Sequence, residues 1–257
     1  MEADFDIAAA VYDEQFTHSV IGRAQRRQVH HHLEKLLEKQ KVSDILEVNC
    51  GTGEDALWFA TRNLRVTASD ISPEMLAKAR KKQLNGSIRF CEADLRNIST
   101  DFGGREFDLV FSNFGGLNCL SHDEIAAFIS DSSKLLRQNG LLILVIMPRN
   151  TAWEQLYFRL KGQKANYNRR QRQLSANVNG NQVPVFYYNP SEIVAMAKEL
   201  SVVQIKPIGL FVPPSYLEPH FKKQPSLIAF LNRLDKVACS SSFAKYADHY
   251  LIALQKR

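Results

Sequence analysis

Cysteine is scarce, and its placement excludes two kinds of scaffold. Cys50, Cys91, Cys119 and Cys239 lie far apart with no C-x-x-C spacing, so neither a zinc site nor a disulfide framework is indicated. Isolated thiols behave as small hydrophobes, and no metal is expected. Long apolar runs are also missing. The most apolar stretch, Gly140 to Pro148, is far too short to span a bilayer. The segment from Met1 to Phe16 is acidic and lacks the basic and apolar regions of a secretory signal. The expected location is therefore the cytoplasm, with no membrane partner. There is no internal repeat, low-complexity segment or clear linker. Strong charge of either sign is absent as well: a net charge of +6 permits a nucleic-acid or acidic partner without requiring one. His30, His31 and His32 are consecutive on a predicted helix, point in three directions, and cannot ligate one ion.

What is present is an ordinary globular composition, 45% hydrophobic and 23% charged over 257 residues, enough to bury a core without covalent staples. Helices are expected over 5–13 and 22–40; in the second, Val29, Leu33, Leu36 and Leu37 share one face. The period then changes. Short strands are expected at 44–49, 66–70, 88–92, 107–112 and 141–147, separated by helices at 54–63, 72–84 and 122–137. Ser72 and Pro73 form a helix start, and Asn85-Gly86 and Asn139-Gly140 are helix stops. The run Leu141 to Met147 shows no polar alternation, so both its faces should be covered. This alternation predicts a mostly parallel sheet between helical layers.

After Pro148 the rhythm breaks. A helix over 151–161 is expected, followed by strands at 169–178 and 182–188 joined by Asn179-Gly180-Asn181, a hairpin signal. Helices at 190–200 and 226–237 and strands at 202–208 and 249–256 close the chain.

The chemistry concentrates where the first strand ends. Ile45 to Ala60 reads as strand, then Cys50-Gly51-Thr52-Gly53, then helix. Glycines there allow a sharp turn and let a ligand touch the main chain. Gly51, Gly53 and Ala56 also fit a dinucleotide fingerprint, which sets a pyrophosphate on the helix N-terminus. Glu54 and Asp55 occupy that terminus and would repel it. S-adenosylmethionine carries a sulfonium and an ammonium and no phosphate, so the acids favour it. Asp70, ending the second strand, can accept both ribose hydroxyls, with Ile71 against the adenine. After the third strand Asp94 can accept from the adenine amine and Ala93 can offer a backbone N–H, with Leu95 next to them. Asn113 and Phe114 follow the fourth strand at the sheet's carboxyl edge, where open α/β folds bind ligands.

At these residues the sequence resembles the class I S-adenosylmethionine-dependent methyltransferases, most closely the small-molecule branch with a methyltransferase-11 or -25 type core. The likeness covers roughly residues 5–147. Glu47, Gly51 and Gly53 match the family's acidic G-x-G motif, Asp70 its ribose-binding acid, Asp94 its adenine-contacting position, and Asn113 and Phe114 its segment after strand four. Asn49 stands where the family often has glycine, aspartate or alanine; asparagine tolerates unusual backbone angles. The resemblance implies a Rossmann-like, seven-stranded, mostly parallel sheet of order 3-2-1-4-5-7-6, with helices on both faces, an antiparallel last strand, and an inserted hairpin and helical lid. It also implies that Tyr12 covers the methionine end of the cofactor, where a ring face suits a sulfonium, and that Arg26 or Arg27 meets the cofactor carboxylate. The expected organisation is one methyltransferase domain: a helical lid (1–40), a cofactor core (41–148), an inserted cap (149–189) and closing elements (190–257).

The acceptor is less legible. Displacement from a sulfonium needs positioning more than acid–base help, and a base only where the acceptor must lose a proton. The catalytic residue is left unassigned, with His122 and His220 as the candidate bases. The cap is rich in rings, and with Asn118 the residues Trp153, Tyr157, Tyr187, Tyr188 and Tyr216 are expected to line a pocket for a small, partly aromatic or hydrophobic acceptor. Two alternatives stand: an RNA or tRNA methyltransferase using the basic stretch Lys161, Lys164, Arg169, Arg170 and Arg172 around Tyr167, and a nicotinamide-dependent oxidoreductase. Asn113-Phe114-Gly115-Gly116 lacks the Asn/Asp-Pro-Pro-aromatic motif of amino-methylating nucleic-acid enzymes, so nucleic acid is not the expected partner. The sequence does not indicate an oligomeric state.

Overall fold

Ser19 sets the phase of the first long helix, its hydroxyl accepting from the Gly22 N–H at 2.9 Å. The computed structural model describes residue 6 and residues 9–83, 86–163, 166–171, 174–178 and 181–257. Helix α1 spans Val20–Leu37, buries Val29, Leu33 and Leu36, and exposes Lys35, Glu38 and Lys39. The helix expected over 5–13 falls partly outside the described residues. From Ala9 the chain is helical and passes into a π-helical turn at Asp13–Thr17.

The alternating core follows the predicted rhythm, with one short helix, α4, that was not expected: β1 (Asp44–Val48), α2 (Glu54–Ala60), β2 (Arg65–Asp70), α3 (Pro73–Lys82), β3 (Ile88–Glu92), α4 (Ile98–Asp101), β4 (Phe107–Ser112), α5 (His122–Leu135) and β5 (Leu136–Ile146). The Ser72 hydroxyl accepts from the Met75 N–H at 3.1 Å, with Pro73 opening α3. Several helices end earlier than expected, and the boundary between α5 and β5 differs most. Asn139-Gly140 does not stop α5, which ends at Leu135; the chain pairs at once with Phe107 through Leu136, and the ladder resumes only at Leu109 and Leu141. Asn139, at φ 63°, sits in that irregularity. A left-handed asparagine kinks a strand as readily as it ends a helix.

The insertion comprises α6 (Ala152–Leu160), β6 (Leu174–Val178) and β7 (Asn181–Val185). The last two pair antiparallel as a separate hairpin, and its turn at Asn179-Gly180 lies outside the described residues. The first hairpin strand is shorter than expected, because Arg169–Gln171 forms a 3-10 turn whose arginines are held by buried acids. α7 (Pro190–Met196), β8 (Leu200–Ile208), α8 (Glu218–Phe221), α9 (Pro225–Val237) and β9 (His249–Lys256) complete the chain.

The main sheet runs β3-β2-β1-β4-β5-β9-β8, the expected 3-2-1-4-5-7-6. β9 is antiparallel to both neighbours. β5 shows why the sheet is covered twice. Leu142, Leu144 and Ile146 enter one core with Phe107, Phe128 and Tyr250. Leu141, Ile143 and Val145 enter the other with Leu33, Phe59 and Phe111. Alternate side chains thus serve opposite faces, each fully buried aliphatic or aromatic chain contributing about 1.5–3 kcal/mol. With both faces filled, the carboxyl edge of β1, β2 and β4 is the open place where loops gather.

Candidate functional site

The loop after β1 is built on left-handed backbone. Asn49, Gly51 and Gly53 have φ of 47°, 54° and 79°. Gly53 also permits close packing, since a Cβ there would lie 2.9 Å from the Ala79 Cβ. The Gly51 N–H donates to Asp70 Oδ2 at 2.7 Å and the Ser72 N–H to Oδ1 at 3.0 Å. Asp70 therefore ties the glycine turn to the start of α3 while its carboxylate still faces the cavity. Burial pushes its carboxyl up, and the Ser72 and Gly51 N–H groups oppose this.

Asn49 exploits its position. Its Oδ1 accepts from the Ser112 hydroxyl at 2.5 Å and its Nδ2 donates to the Asn113 carbonyl at 2.8 Å, latching β1 to β4. The space comes from Gly116, where a Cβ would fall 2.6 Å from Asn49 Cγ.

The acids that begin α2 are not bare, which corrects the expectation of two unpaired charges beside the loop. Asp55 accepts from Arg26 Nη1 at 2.6 Å and Asn113 Nδ2 at 2.8 Å and meets His30 Nε2 at 2.7 Å. Burial alone would raise its carboxyl; Arg26 and His30 outweigh that and hold it far below the usual range. Glu54 pairs with Lys82 at 2.6 Å, and Lys82 also meets Asp13 at 2.8 Å. Repulsion of pyrophosphate is consequently weaker than the sequence suggests. Arg26, rather than Arg27, faces the site: Arg27 is exposed, whereas the Arg26 guanidinium lies 5.5 Å from the Phe114 ring centroid. The helix phase separates the two.

Three buried polar atoms in this charge cluster have no partner among the described residues: Glu47 Oε2, Asn113 Oδ1 and Arg26 Nε. Orphaned buried groups are costly. Burial raises the Glu47 carboxyl well above its ordinary value, with Asp55 adding and Arg26 opposing. Of the three residues, Arg26 and Asn113 line a small polar cavity, about 250 Å³ counting its open mouth, to which Thr52, Glu54 and Asp55 also contribute.

Next to it opens a larger, mostly apolar cavity of about 1070 Å³, counting its solvent-filled mouth. Gly51, Asp70 and Ile71 line one side; Ala93, Asp94 and Leu95 another; Tyr12, Asn49 and Phe114 the boundary with the polar cavity. Tyr12, Phe16 and Phe114 form a ring wall with centroids 5.6 and 5.3 Å apart. The N-terminal segment is docked over the loop: Thr52 donates to Asp13 at 2.5 Å, Lys78 to the Ala10 carbonyl at 2.9 Å, and Ser72 to the Asp6 carboxylate. β7 forms the roof through Val183 and Val185.

Several expectations are corrected. The Ala93 N–H extends the β2–β3 ladder by donating to the Asp70 carbonyl at 3.1 Å, so it is not offered to a ligand. Asp94 faces the cavity but is paired with Arg96 at 3.0 Å. Asn118 is fully buried and spends its amide on Phe186 and Met147; it clamps the roof to the end of β5 and lines no pocket. Tyr188 is core, its hydroxyl donating to the Leu120 carbonyl at 2.6 Å. Trp153 packs on Phe221 and Tyr157 on Tyr216, away from the cavity. Tyr187 faces an outer cleft with Arg170 5.1 Å from its ring. His122 lies in that cleft, exposed, and His220 is exposed on α8. Rings in a cap sequence do not reveal which side they turn to.

Part of the basic stretch is spent inside the protein, while Lys161 is exposed. Arg169 and Arg170 pair with Glu154, and Arg170 also with Asp248 at 2.7 Å; Lys164 and Arg172 lie outside the described residues. Conversely, the sequence reading missed Met75, Arg96, Gly115, Gly116, Cys119, Leu120, Val183 and Val185 as cavity residues. The alternation of Val183 and Val185 is the sequence signal that could have found two of them.

Comparison with known proteins converges on the same segment. The methyltransferase domain family matches residues 45–140. A demethylmenaquinone methyltransferase of Chlorobaculum tepidum is 34% identical over 126 residues, covering 48% of this chain and 49% of its own. A malonyl-[acyl-carrier protein] O-methyltransferase of Enterobacter lignolyticus is 28% identical over 139 residues, covering 51% and 53%. The chain thus spans about half the length of the curated relatives it matches. In fold, magnesium protoporphyrin IX methyltransferase from Synechocystis PCC 6803, solved with bound SAH, aligns over 93% of this chain and 86% of its own at a TM-score of 0.58 and 14% identity. The matched segment starts on β1, ends beside the β5 irregularity, and so contains the glycine turn and the carboxylates that end β2 and follow β3. Tyr12, Arg26 and the roof fall outside it. By sequence, residues 45–140 are similar to the methyltransferase domain family, and in fold the chain is similar to a solved methyltransferase.

Proposed function

We propose that the chain transfers the methyl group of S-adenosylmethionine to a small, largely apolar acceptor. The observation that carries this reading is the trio of orphaned atoms next to the ribose-binding position. Glu47 Oε2 and Asn113 Oδ1 can accept from an ammonium, and Arg26 Nε can donate to a carboxylate; together they match the amino-acid end of the cofactor. Asp70 would take the ribose hydroxyls, Ile71 the adenine face, and Asp94 the adenine amine. When bound, the cofactor supplies an activated methyl on a sulfonium.

The protein's part is positioning and exclusion of water. Tyr12 and Phe114 present rings at the boundary between the polar and apolar cavities, and Val183, Val185 and Leu120 close the apolar side. The thiol and phenol on these walls keep their protons at neutral pH: burial lifts Cys119 to about 11, with Arg96 opposing, and Tyr12 to about 12. No histidine lines the cavity among the described residues. The carboxylates on the wall are Asp70 and Asp94, and the acceptors this reading favours are ones that arrive as competent nucleophiles, such as a free amine, an ionised oxygen or a thiolate. The two relatives named above act on different acceptors, so the walls of this cavity define its own.

Isothermal titration with S-adenosylhomocysteine tests the reading. Binding is expected, and Asp70→Ala should weaken it at least about tenfold, the loss of one charge-assisted hydrogen bond. Stabilisation by NADH with indifference to S-adenosylhomocysteine would overturn the proposal, and unchanged affinity in Asp70→Ala would remove Asp70 from the site.

A further inference from the structure

Helix α9 carries a face that no other described residue covers. Ile228 and Asp235 are buried on its inner side, toward α1. On the outer side Leu227, Phe230, Leu234 and Val237 recur at intervals of three and four, with Phe230 56% and Val237 83% exposed. The flank is uniformly basic. Arg233 on the helix and Lys222 and Lys223 just before it are exposed, and none has a carboxylate within ion-pair distance among the described residues. The acids of this stretch are turned inward and spent. Glu218 accepts from the Val20 and Ile21 N–H groups at 2.8 and 3.0 Å. Asp235 accepts from the Leu210, Phe211 and Val212 N–H groups. Helix α6 adjoins α8 through Trp153 and Phe221, ring centroids 6.1 Å apart, and repeats the pattern: Leu156 and Leu160 are 53% and 79% exposed, beside exposed Arg159 and Lys161.

We propose that this face docks on an anionic lipid bilayer. Apolar side chains on a helix lying in the interface enter the boundary between headgroups and acyl chains, and the flanking cations meet lipid phosphates. Charge selects this occupant: a second copy paired through the same face would bring Arg233, Lys222 and Lys223 toward their own kind. No described helix is long and apolar enough to cross a membrane. The expectation of no membrane partner rested on the lack of a spanning segment, and an interfacial face needs none. The inference is independent of the methyl-transfer reading, although it would deliver a lipid-dissolved acceptor to the enzyme's vicinity.

Co-sedimentation with vesicles tests it. The full chain should bind vesicles of phosphatidylcholine mixed with phosphatidylglycerol, stay in solution with phosphatidylcholine alone, and release as salt screens the charges. Phe230→Ser with Val237→Ser, and separately Lys222→Glu with Lys223→Glu, should each lower the bound fraction roughly tenfold or more. All four positions are exposed, so each variant should melt with the parent, which controls for folding. Failure of the parent to bind mixed vesicles would overturn the proposal. So would equal binding by the variants, or a concentration-dependent dimer dissolved by Phe230→Ser in a protein that ignores vesicles.

Discussion

Replacing Arg26 with methionine keeps most of the side-chain volume and removes the one arginine that compensates the buried acids below the glycine turn. In the parent, Arg26 is 13% and Asp55 5% exposed, at 2.6 Å. Removing one partner of a buried pair costs about 3–5 kcal/mol. His30 and Asn113 remain on Asp55, so the lower end applies, about 3 kcal/mol. At about 2–4 °C per kcal/mol for a chain of this size, the midpoint of thermal unfolding should fall by about 6–12 °C. The deficit has a pH signature. Asp55 has a folded-state value below its ordinary 3.8, so its pairing stabilises the fold above that ordinary value and is lost as pH falls through the folded one. The variant's deficit should therefore be full at neutral pH and shrink in acid. Adding Asp55→Asn should recover most of the loss, because an amide needs no cation. Calorimetry of the parent, the single and the double variant decides. An Arg26→Met midpoint within 2 °C of the parent, or a double variant worse than the single, would refute the reasoning.

Glu47→Gln should raise the ligand-free midpoint at pH 8 and leave it unchanged near pH 4: with a folded value well above 4.5, the carboxyl favours the fold only while protonated, and that contribution fades as pH rises through the folded value. The same variant should bind S-adenosylhomocysteine more weakly by titration calorimetry, since the ammonium loses its carboxylate. Asn118→Ala should cost about 2–3 kcal/mol in urea unfolding and speed hydrogen exchange around Phe186, because it removes the clamp between the roof and β5. Gly116→Ala should lower the melting midpoint by forcing a Cβ against Asn49, and Asn49→Gly in the same chain should restore it.

The elements with local signals were legible before the structure was known. Strand, glycine turn and helix around Gly51 and Gly53 follow from short-range sterics, and β3, β4 and β9 fall on the predicted residues. Asp70 was identifiable because a strand-ending acid near such a turn has few places to go. What failed depended on long-range packing. Arg26 and Arg27 are neighbours in sequence, and only the docking of α1 on α2 distinguishes them. The aromatic cap residues were read as a pocket because their number is visible and their direction is not: Trp153 packs on Phe221 of α8 and Tyr157 on Tyr216 instead. Val183 and Val185 became the roof because the hairpin folds back over the sheet, a contact between distant parts of the chain. Asn139-Gly140 misled because one backbone conformation serves both helix ends and strand irregularities.

The central claim is that the orphaned Glu47, Asn113 and Arg26 atoms and the Asp70 carboxylate hold opposite ends of one ligand. A crystal structure of the protein with S-adenosylhomocysteine tests it most directly. The account predicts the ligand's ammonium within hydrogen-bond distance of Glu47 or Asn113, its carboxylate at Arg26, and its ribose hydroxyls on Asp70. A ligand bound elsewhere, or one in the cavity with its amino-acid end turned toward Val183 and Val185, would contradict it.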